Sequence, residues 1–191
     1  GAGKSSIAKY VLNKDKNIRL SISYTTRKKR KDEVKGKDYN YISVKEFKEK
    51  IKSNYFLEWA NVFDNYYGTP RDLVQDKISN GMDVLFDIDW QGTQQLYEND
   101  GFDLVSIFIL PPSKKVLETR LNTRAQDTTF EVNKRMAQAS DEISHYMEYS
   151  YIIVNDDLEK ASNQVLSILN AERLNRKRFI DLNDFIKFLR S

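Results

Sequence analysis

The chain has 191 residues, a length that fits one domain of about 150 residues carrying insertions better than two independent ones. Its 31 Lys and Arg against 28 Asp and Glu leave a net charge of only +3. That bias is too small to point to nucleic acid or an anionic membrane, so any basic site has to be local. With zero cysteines there is no thiol nucleophile, disulfide or zinc–thiolate site to consider, and the longest apolar run, 104–110, falls far short of the ~18 residues that span a bilayer. The composition predicts a soluble, cytoplasmic protein.

The chain opens Gly1-Ala2-Gly3-Lys4-Ser5-Ser6 and runs directly into a helical stretch at 7–12. A glycine-rich turn feeding a helix ordinarily follows a strand, so a strand and the first half of the loop are expected upstream of Gly1. Residues 18–23 alternate apolar and polar and predict a strand, the basic segment 27–37 has the polarity of a loop, and 39–42 predict a short strand. Ser43 and Glu46 form a capping box for a helix over 44–53. Aromatic strands follow at 55–63 and 66–67. Thr69-Pro70 predicts a helix start, with Thr69 as cap and Gly81 closing the helix near Asn80. A buried strand at 84–88, a short helix at 93–98 and a strand at 104–110 come next, the last ended by Pro111-Pro112 before Ser113 caps another helix.

Thr128 with Glu131 predicts a second capping box, opening a long, half-packed helix that runs to about residue 146. A short strand at 151–154 precedes a helix capped by Asp156 or Asp157, with an apolar stripe at Leu158, Ala161, Val165, Ile168 and Leu169. The tail beyond Ala171 is basic and amphipathic, and Asp181 restarts it as a separate helix. Strands alternating with helices imply an α/β domain with a mainly parallel sheet, and the aromatic block 39–67 reads as an insertion into it.

Several short segments carry chemistry. Gly3-Lys4-Ser5 matches the second half of G-x-x-x-x-G-K-[ST], in which backbone amides and a helix N-terminus cradle phosphates, the lysine reaches the β and γ phosphates, and the hydroxyl ligates Mg²⁺. The triplet alone is common; its place at a helix start is what favours the reading. Around Ser23, Arg27 and Arg30 stand three apart beside a hydroxyl-rich turn, which suits a second phosphate or simply a solvated basic loop. Tyr39 and Tyr67 could add phenolic donors, or serve as core aromatics. Glu58 sits in an aromatic strand where an unpaired carboxylate is costly. As a pure acceptor it would take the N1–H and 2-amino donors of guanine and repel the bare N1 of adenine, with Thr69 and Asp89 completing the pocket. Asp87 ends an apolar run, where phosphate-loop enzymes put the acid that helps hold Mg²⁺ directly or through water. The 87–89 segment, read as extended, places Asp87 and Asp89 on one face. Arg120, Arg124 and Arg135 bracket a polar turn between helices and suit a lid that brings positive charge over transferring phosphates. His145, the only histidine, supports no catalytic triad or histidine metal site.

Taken in order, G-A-G-K-S-S (1–6), S-Y-T-T-R-K-K-R-K-D-E-V-K-G-K-D-Y (23–39), F-L-E-W-A (56–60), N-Y-Y-G-T (65–69), D-I-D-W-Q-G (87–92), R-L-N-T-R (120–124) and I-V-N-D-D-L (153–158) resemble the guanylate kinase family. The resemblance runs to about Leu169. It implies a P-loop nucleoside-monophosphate-kinase-like core, a GMP-binding mixed β/α insertion over about 24–80 and a helical lid over about 120–140, within one domain spanning 1–191. It also implies transfer of the ATP γ-phosphoryl group to GMP with Mg²⁺, small-molecule substrates, and no nucleic-acid or membrane partner; oligomeric state is left open. Under it, Gly1, Ala2, Gly3, Lys4, Ser5 and Ser6 hold ATP, with Asn155 near the adenine and Ser5 and Asp87 at the metal. Ser23, Arg27, Arg30, Tyr39 and Tyr67 take the GMP phosphate, Glu58, Thr69 and Asp89 the base, Asp87 also borders GMP, and Lys4 with Arg27, Arg30, Arg120, Arg124 and Arg135 serve the transfer. Lys29 stands where the family usually has Pro, and Ala125 replaces a frequent lid glycine. Two rivals remain: a guanylate-kinase-like binding module without catalysis, and a kinase for another nucleoside monophosphate.

Overall fold

The computed structural model describes residues 1–99, 103–123, 129–179 and 181–191, leaving the side chains of 129–131 and 135 undescribed. Two strand systems organise the chain. In the first, β1 (Ile18–Leu20) pairs in parallel with β6 (Asp83–Leu85), and β7 (Ile107–Leu110) pairs in parallel with β8 (Tyr151–Val154). Parallel pairing requires crossover connections, and the helices that supply them cover the strands. α1 (Lys4–Lys14) and α7 (Leu158–Arg173) present Ile7 and Val11, and Ala161 and Val165, each pair one helical turn apart, to Ile18, Ile153, Leu85, Ile107 and Ile109. Arg173 closes this side with ion pairs to Asp15 at 2.5 Å and Asp83 at 2.6 Å, joining the ends of α7 and α1 to the start of β6.

The second system is a four-stranded mixed sheet in the order β3-β2-β5-β4, made of β2 (Tyr24–Thr25), β3 (Asn40–Tyr41), β4 (Phe56–Val62) and β5 (Asn65–Pro70). β4 and β5 form an antiparallel hairpin, β2 runs antiparallel to β5, and β3 runs parallel to β2. Stacking of Phe47 on Phe56 at 4.5 Å and on Tyr66 at 5.3 Å seats α2 (Val44–Lys52) against this sheet. Gly68 makes the stacking possible, because a Cβ there would lie 2.9 Å from both rings. α3 (Arg71–Ser79) and α4 (Trp90–Glu98) bridge the systems through Leu57, Val74 and Leu96, packed with Val84, Phe86 and Ile88.

Farther along, α5 (Lys114–Thr123) meets α6 (Thr129–Ser144) through Leu117, Leu121 and Val132. A short 3₁₀ turn at 145–148 follows, and α8 (Leu182–Arg190) ends the chain with no buried residue. Among the described residues no helix is long and apolar enough to cross a membrane.

The structure corrects several sequence expectations. The strand expected over 18–23 stops at Leu20, and β2, to which no strand was assigned, lies between that segment and the 27–37 loop with its two residues paired on both sides. Thr69 is not the cap of α3: it lies inside β5, paired with Glu58, and Pro70 takes the cap position with its φ of −67°. The strand expected over 84–88 spans 83–85 and is half-buried, so 87–89 is not strand and its two carboxylates part company. α4 starts at Trp90 rather than Thr93 because Asp89 caps it, and the strand expected from 104 begins at Ile107. The capping box at Ser43 and Glu46 forms in both directions, and Asp157, not Asp156, caps α7. Thr128 lies outside the described residues, as does the side chain of Glu131.

Candidate active site

The opening loop turns into α1 at Gly3, whose φ of 101° is a left-handed conformation that glycine adopts without strain. No side chain caps α1, so its first amides stay available to an anion. Asn155, 3% exposed, packs against this turn: its Nδ2 donates to the Ala2 carbonyl at 2.8 Å, and a Cβ on Gly3 would fall 2.1 Å from the same nitrogen. The Asn155 carbonyl in turn accepts from Arg120 at 2.9 Å. Gly3, Asn155 and Arg120, with Gly1, Ser6, Thr123 and Leu158, line a cleft of about 270 Å³. From the first turn of α1, Lys4 Nζ donates to the Ile88 carbonyl at 3.0 Å and Ser5 Oγ donates to Asp87 Oδ2 at 2.5 Å. The loop and the 87–88 segment thus meet at a lysine, a hydroxyl and a carboxylate.

Two residues on, Asp89 faces the other way. Its Oδ1 accepts from the Gly92 amide at 3.1 Å and caps α4, bringing that helix start to Glu58. A register shift in β4 between Phe56 and Glu58 turns Leu57 into the apolar cluster while Glu58 pairs with Thr69. Outside the hairpin, Gln95 satisfies both backbone groups of Trp59, accepting from its amide at 3.0 Å and donating to its carbonyl at 2.7 Å, which fixes the edge of β4 to α4. Glu58 is 3% exposed and packed so close to Gly92 that a Cβ there would lie 2.5 Å from Oε2. Burial, reinforced by the charge of Asp89 and opposed by hydrogen bonds from the Thr69 hydroxyl and amide, pushes its carboxyl up to about 7. Ser23 Oγ stands 3.1 Å from Thr69 Oγ1, so three buried polar side chains, Ser23, Thr69 and Glu58, form one hydrogen-bonded row.

At the Ser23 end, Arg27 lies 5.4 Å over the Tyr39 ring, and the Tyr39 and Tyr67 rings stand 6.0 Å apart. Burial, together with the charge of Asp87, raises the Tyr39 phenol, so it stays a hydrogen-bond donor at neutral pH. The sequence reading missed Glu33. Its carboxylate takes both Nη atoms of Arg27 at 2.7 and 3.1 Å, the Arg30 amide at 2.8 Å and the Tyr41 hydroxyl at 2.7 Å. The available signal was the pair of carboxylates, Asp32 and Glu33, inside a basic run.

The structure therefore brings Lys4, Ser5 and Asp87 together, gathers Arg27, Tyr39 and Tyr67, and lines up Ser23, Thr69 and Glu58 beside Asp89. It does not place Asp87 and Asp89 at one point: Asp87 serves the loop and Asp89 the helix cap. Arg30 contributes its amide to Glu33. Arg120 sits at the cleft, Arg124 lies outside the described residues, and Arg135 belongs to α6 with its side chain undescribed.

Comparison with known proteins gives one consistent family. The guanylate kinase family profile matches residues 1–172. Guanylate kinase of Paramagnetospirillum magneticum is 54% identical over 190 residues, covering 100% of this chain and 89% of the relative. That of Maricaulis maris is 52% identical over 186 residues, covering 97% and 85%. Among solved structures, the crystal structure of guanylate kinase from Anaplasma phagocytophilum superposes with a TM-score of 0.82 at 36% identity, covering 96% of this chain and 89% of that one.

Proposed function

This chain belongs to the guanylate kinase family and phosphorylates GMP to GDP with ATP, and we propose that the transfer depends on Mg²⁺ and that the three clusters divide the work. The observation that carries the division is the 87–89 segment, which touches the phosphate loop through Asp87 and Ile88 and the Glu58 pocket through Asp89. Ser5 and Asp87 present hard oxygen donors 2.5 Å apart, a set that suits a small divalent cation completing its shell with phosphates and water. Mg²⁺ bound there would neutralise charge on the donor phosphates. Lys4 and the amides of α1 hold those phosphates, Arg120 and Asn155 border the ATP cleft, and Arg27, Tyr39 and Tyr67 with Ser23 receive the phosphate of GMP. Arg30, Arg124 and Arg135 add positive charge as the transfer proceeds.

The acceptor oxygen of GMP is anionic at neutral pH, so no residue has to remove a proton from it and alignment carries the catalysis. Glu58, ionised, accepts from N1–H and the 2-amino group, and Thr69 and Asp89 hold the frame around it. The reaction takes place in one domain, with the mixed sheet as the acceptor region and α5–α6 as the lid, on small-molecule substrates in the cytoplasm.

The test follows ADP formation with ATP and GMP. Chelating Mg²⁺ should abolish turnover and its return restore it, while Lys4→Ala should lower kcat by roughly 10²-fold or more with GMP affinity intact. Near-normal turnover by Lys4→Ala, or turnover in the absence of a divalent cation, would overturn this assignment.

A further inference from the structure

Arg27 has two bidentate edges, since a planar guanidinium offers one fork from its two Nη atoms and another from Nη2 with Nε. Glu33 takes the first fork, at 3.1 Å from Nη1 and 2.7 Å from Nη2, and the Lys28 carbonyl accepts from Nη1 at 2.8 Å. The remaining Nη2 proton and the Nε proton lie on the second edge, which none of these acceptors occupies, and the Tyr67 phenol is among the neighbours of the guanidinium. Glu33 is itself fixed from behind, by the Arg30 amide at 2.8 Å and the Tyr41 hydroxyl at 2.7 Å. Both side chains of the pair are largely shielded, at 14% and 17% exposed. Burial alone would raise the Glu33 carboxyl, yet Arg27, the Arg30 amide and Tyr41 outweigh it and hold it down to about 2. It therefore stays ionised throughout the neutral range.

We infer that Glu33 is a positioning residue for the acceptor phosphate: it locks the end-on fork of Arg27 so that the side-on Nη2–Nε fork stays available to the bound GMP phosphate. This rests on the reading of Arg27 as a GMP-phosphate ligand. The arrangement gives up net attraction, because the ion pair cancels the charge of Arg27, and gains orientation. A long side chain held in its binding geometry loses less freedom when the phosphate arrives. The opposite role, a carboxylate that occupies the phosphate's place until GMP displaces it, would predict tighter GMP binding when Glu33 loses its charge.

The experiment measures KM and kcat for GMP, and binding of guanosine as inhibitor, in Glu33→Gln, Arg27→Ala and the double variant. Glu33→Gln should raise the KM for GMP about tenfold with kcat within about twofold, and leave guanosine binding unchanged because guanosine carries no phosphate. In the Arg27→Ala background the same substitution should have no further effect, as expected when one residue acts only through the other. A lower KM in Glu33→Gln, an equal loss for GMP and guanosine, or full additivity with Arg27→Ala would each overturn the inference. If Glu33→Gln does not fold, Tyr41→Phe, which removes one of the bonds that hold Glu33, should raise the KM for GMP roughly twofold to threefold and leave guanosine unaffected; no change in either overturns it equally. Wild-type turnover of GMP, measured first, stands or falls separately from these comparisons.

Discussion

Under the proposed function, Glu58 carries opposing demands in one side chain. Recognition of guanine needs a carboxylate, yet burial and the neighbouring Asp89 charge favour the neutral acid, with a carboxyl at about 7 against an ordinary 4.5. Two consequences follow with defined signs. For binding, GMP selects the ionised form, so kcat/KM for GMP should fall as pH drops below about 7, approaching tenfold per unit. Glu58→Gln should lack that step, which separates it from the second ionisation of the GMP phosphate at about 6. For stability, the folded state holds the proton more tightly than the unfolded chain, so stability declines as pH rises from about 4.5 through about 7. The ionised side chain then costs on the order of 3 kcal/mol above that range. Glu58→Gln should therefore melt higher than wild type at pH 8, with the gap closing toward pH 5, while losing roughly 10²-fold in kcat/KM for GMP. Thermal melts across pH and the acceptor kinetics check both halves. That Glu58 is an exceptional position was legible in the sequence, because a single carboxylate among Tyr55, Phe56, Leu57 and Trp59 violates the strand's apolar pattern. Glu33 was not legible in the same way, since charge in a polar loop breaks no local rule and its partners come from Arg27 and from Tyr41 on another strand.

Elements hold these side chains in place, and α4 is the most exacting of them. Gly92 lets its first turn lie against the Glu58 carboxylate, and Gln95 on the same helix pins the backbone of Trp59. Alanine at 92 would favour the helix by about 1 kcal/mol. It would also displace Glu58, so Gly92→Ala should raise the KM for GMP about tenfold and leave that for ATP unchanged; equal effects on both substrates would contradict the contact. The β4–β5 hairpin supplies another join. Its turn residues Phe63 and Asp64 both take left-handed backbone, at φ 50° and 63°, and Asp64 forms an ion pair with Lys134 on α6. That contact ties the β4–β5 hairpin to α6, the proposed lid helix. Reversing either charge should lower kcat/KM by roughly twofold to fivefold, and reversing both should restore it. Helix caps could be read from sequence where they rest on neighbours three residues apart, as at Ser43 and Glu46. The assignment of Thr69 as a cap failed because the same Thr-Pro pair also ends a strand, and pairing with Glu58 won.

At the scale of the molecule, alternating strands and helices identified an α/β chain with a mainly parallel sheet and an inserted aromatic block at 39–67; the structure has two parallel strand pairs, and the block joins β2 in a mixed four-stranded sheet. Strand lengths were overestimated at the ends of 18–23 and 84–88 and at the start of 104–110, because the apolar or alternating pattern extends beyond the residues that pair. The tail contributes little to the packed interior: α8 has no buried residue, and Phe185, Phe188 and Leu189 are 56%, 75% and 62% exposed. Removing residues 181–191 should leave kcat and KM within about twofold, a result steady-state assays would show directly. What unites the fold with the proposed chemistry is the segment 87–89, seated between the loop that opens α1 and the start of α4 beside the buried Glu58 carboxylate. The most direct measurement is the rate of ADP formation by the purified protein with Mg-ATP and, in turn, GMP, AMP, CMP and UMP. Turnover selective for GMP, by roughly 10²-fold or more over AMP, is the predicted result; comparable rates with AMP, or binding of GMP without turnover of any acceptor, would contradict it.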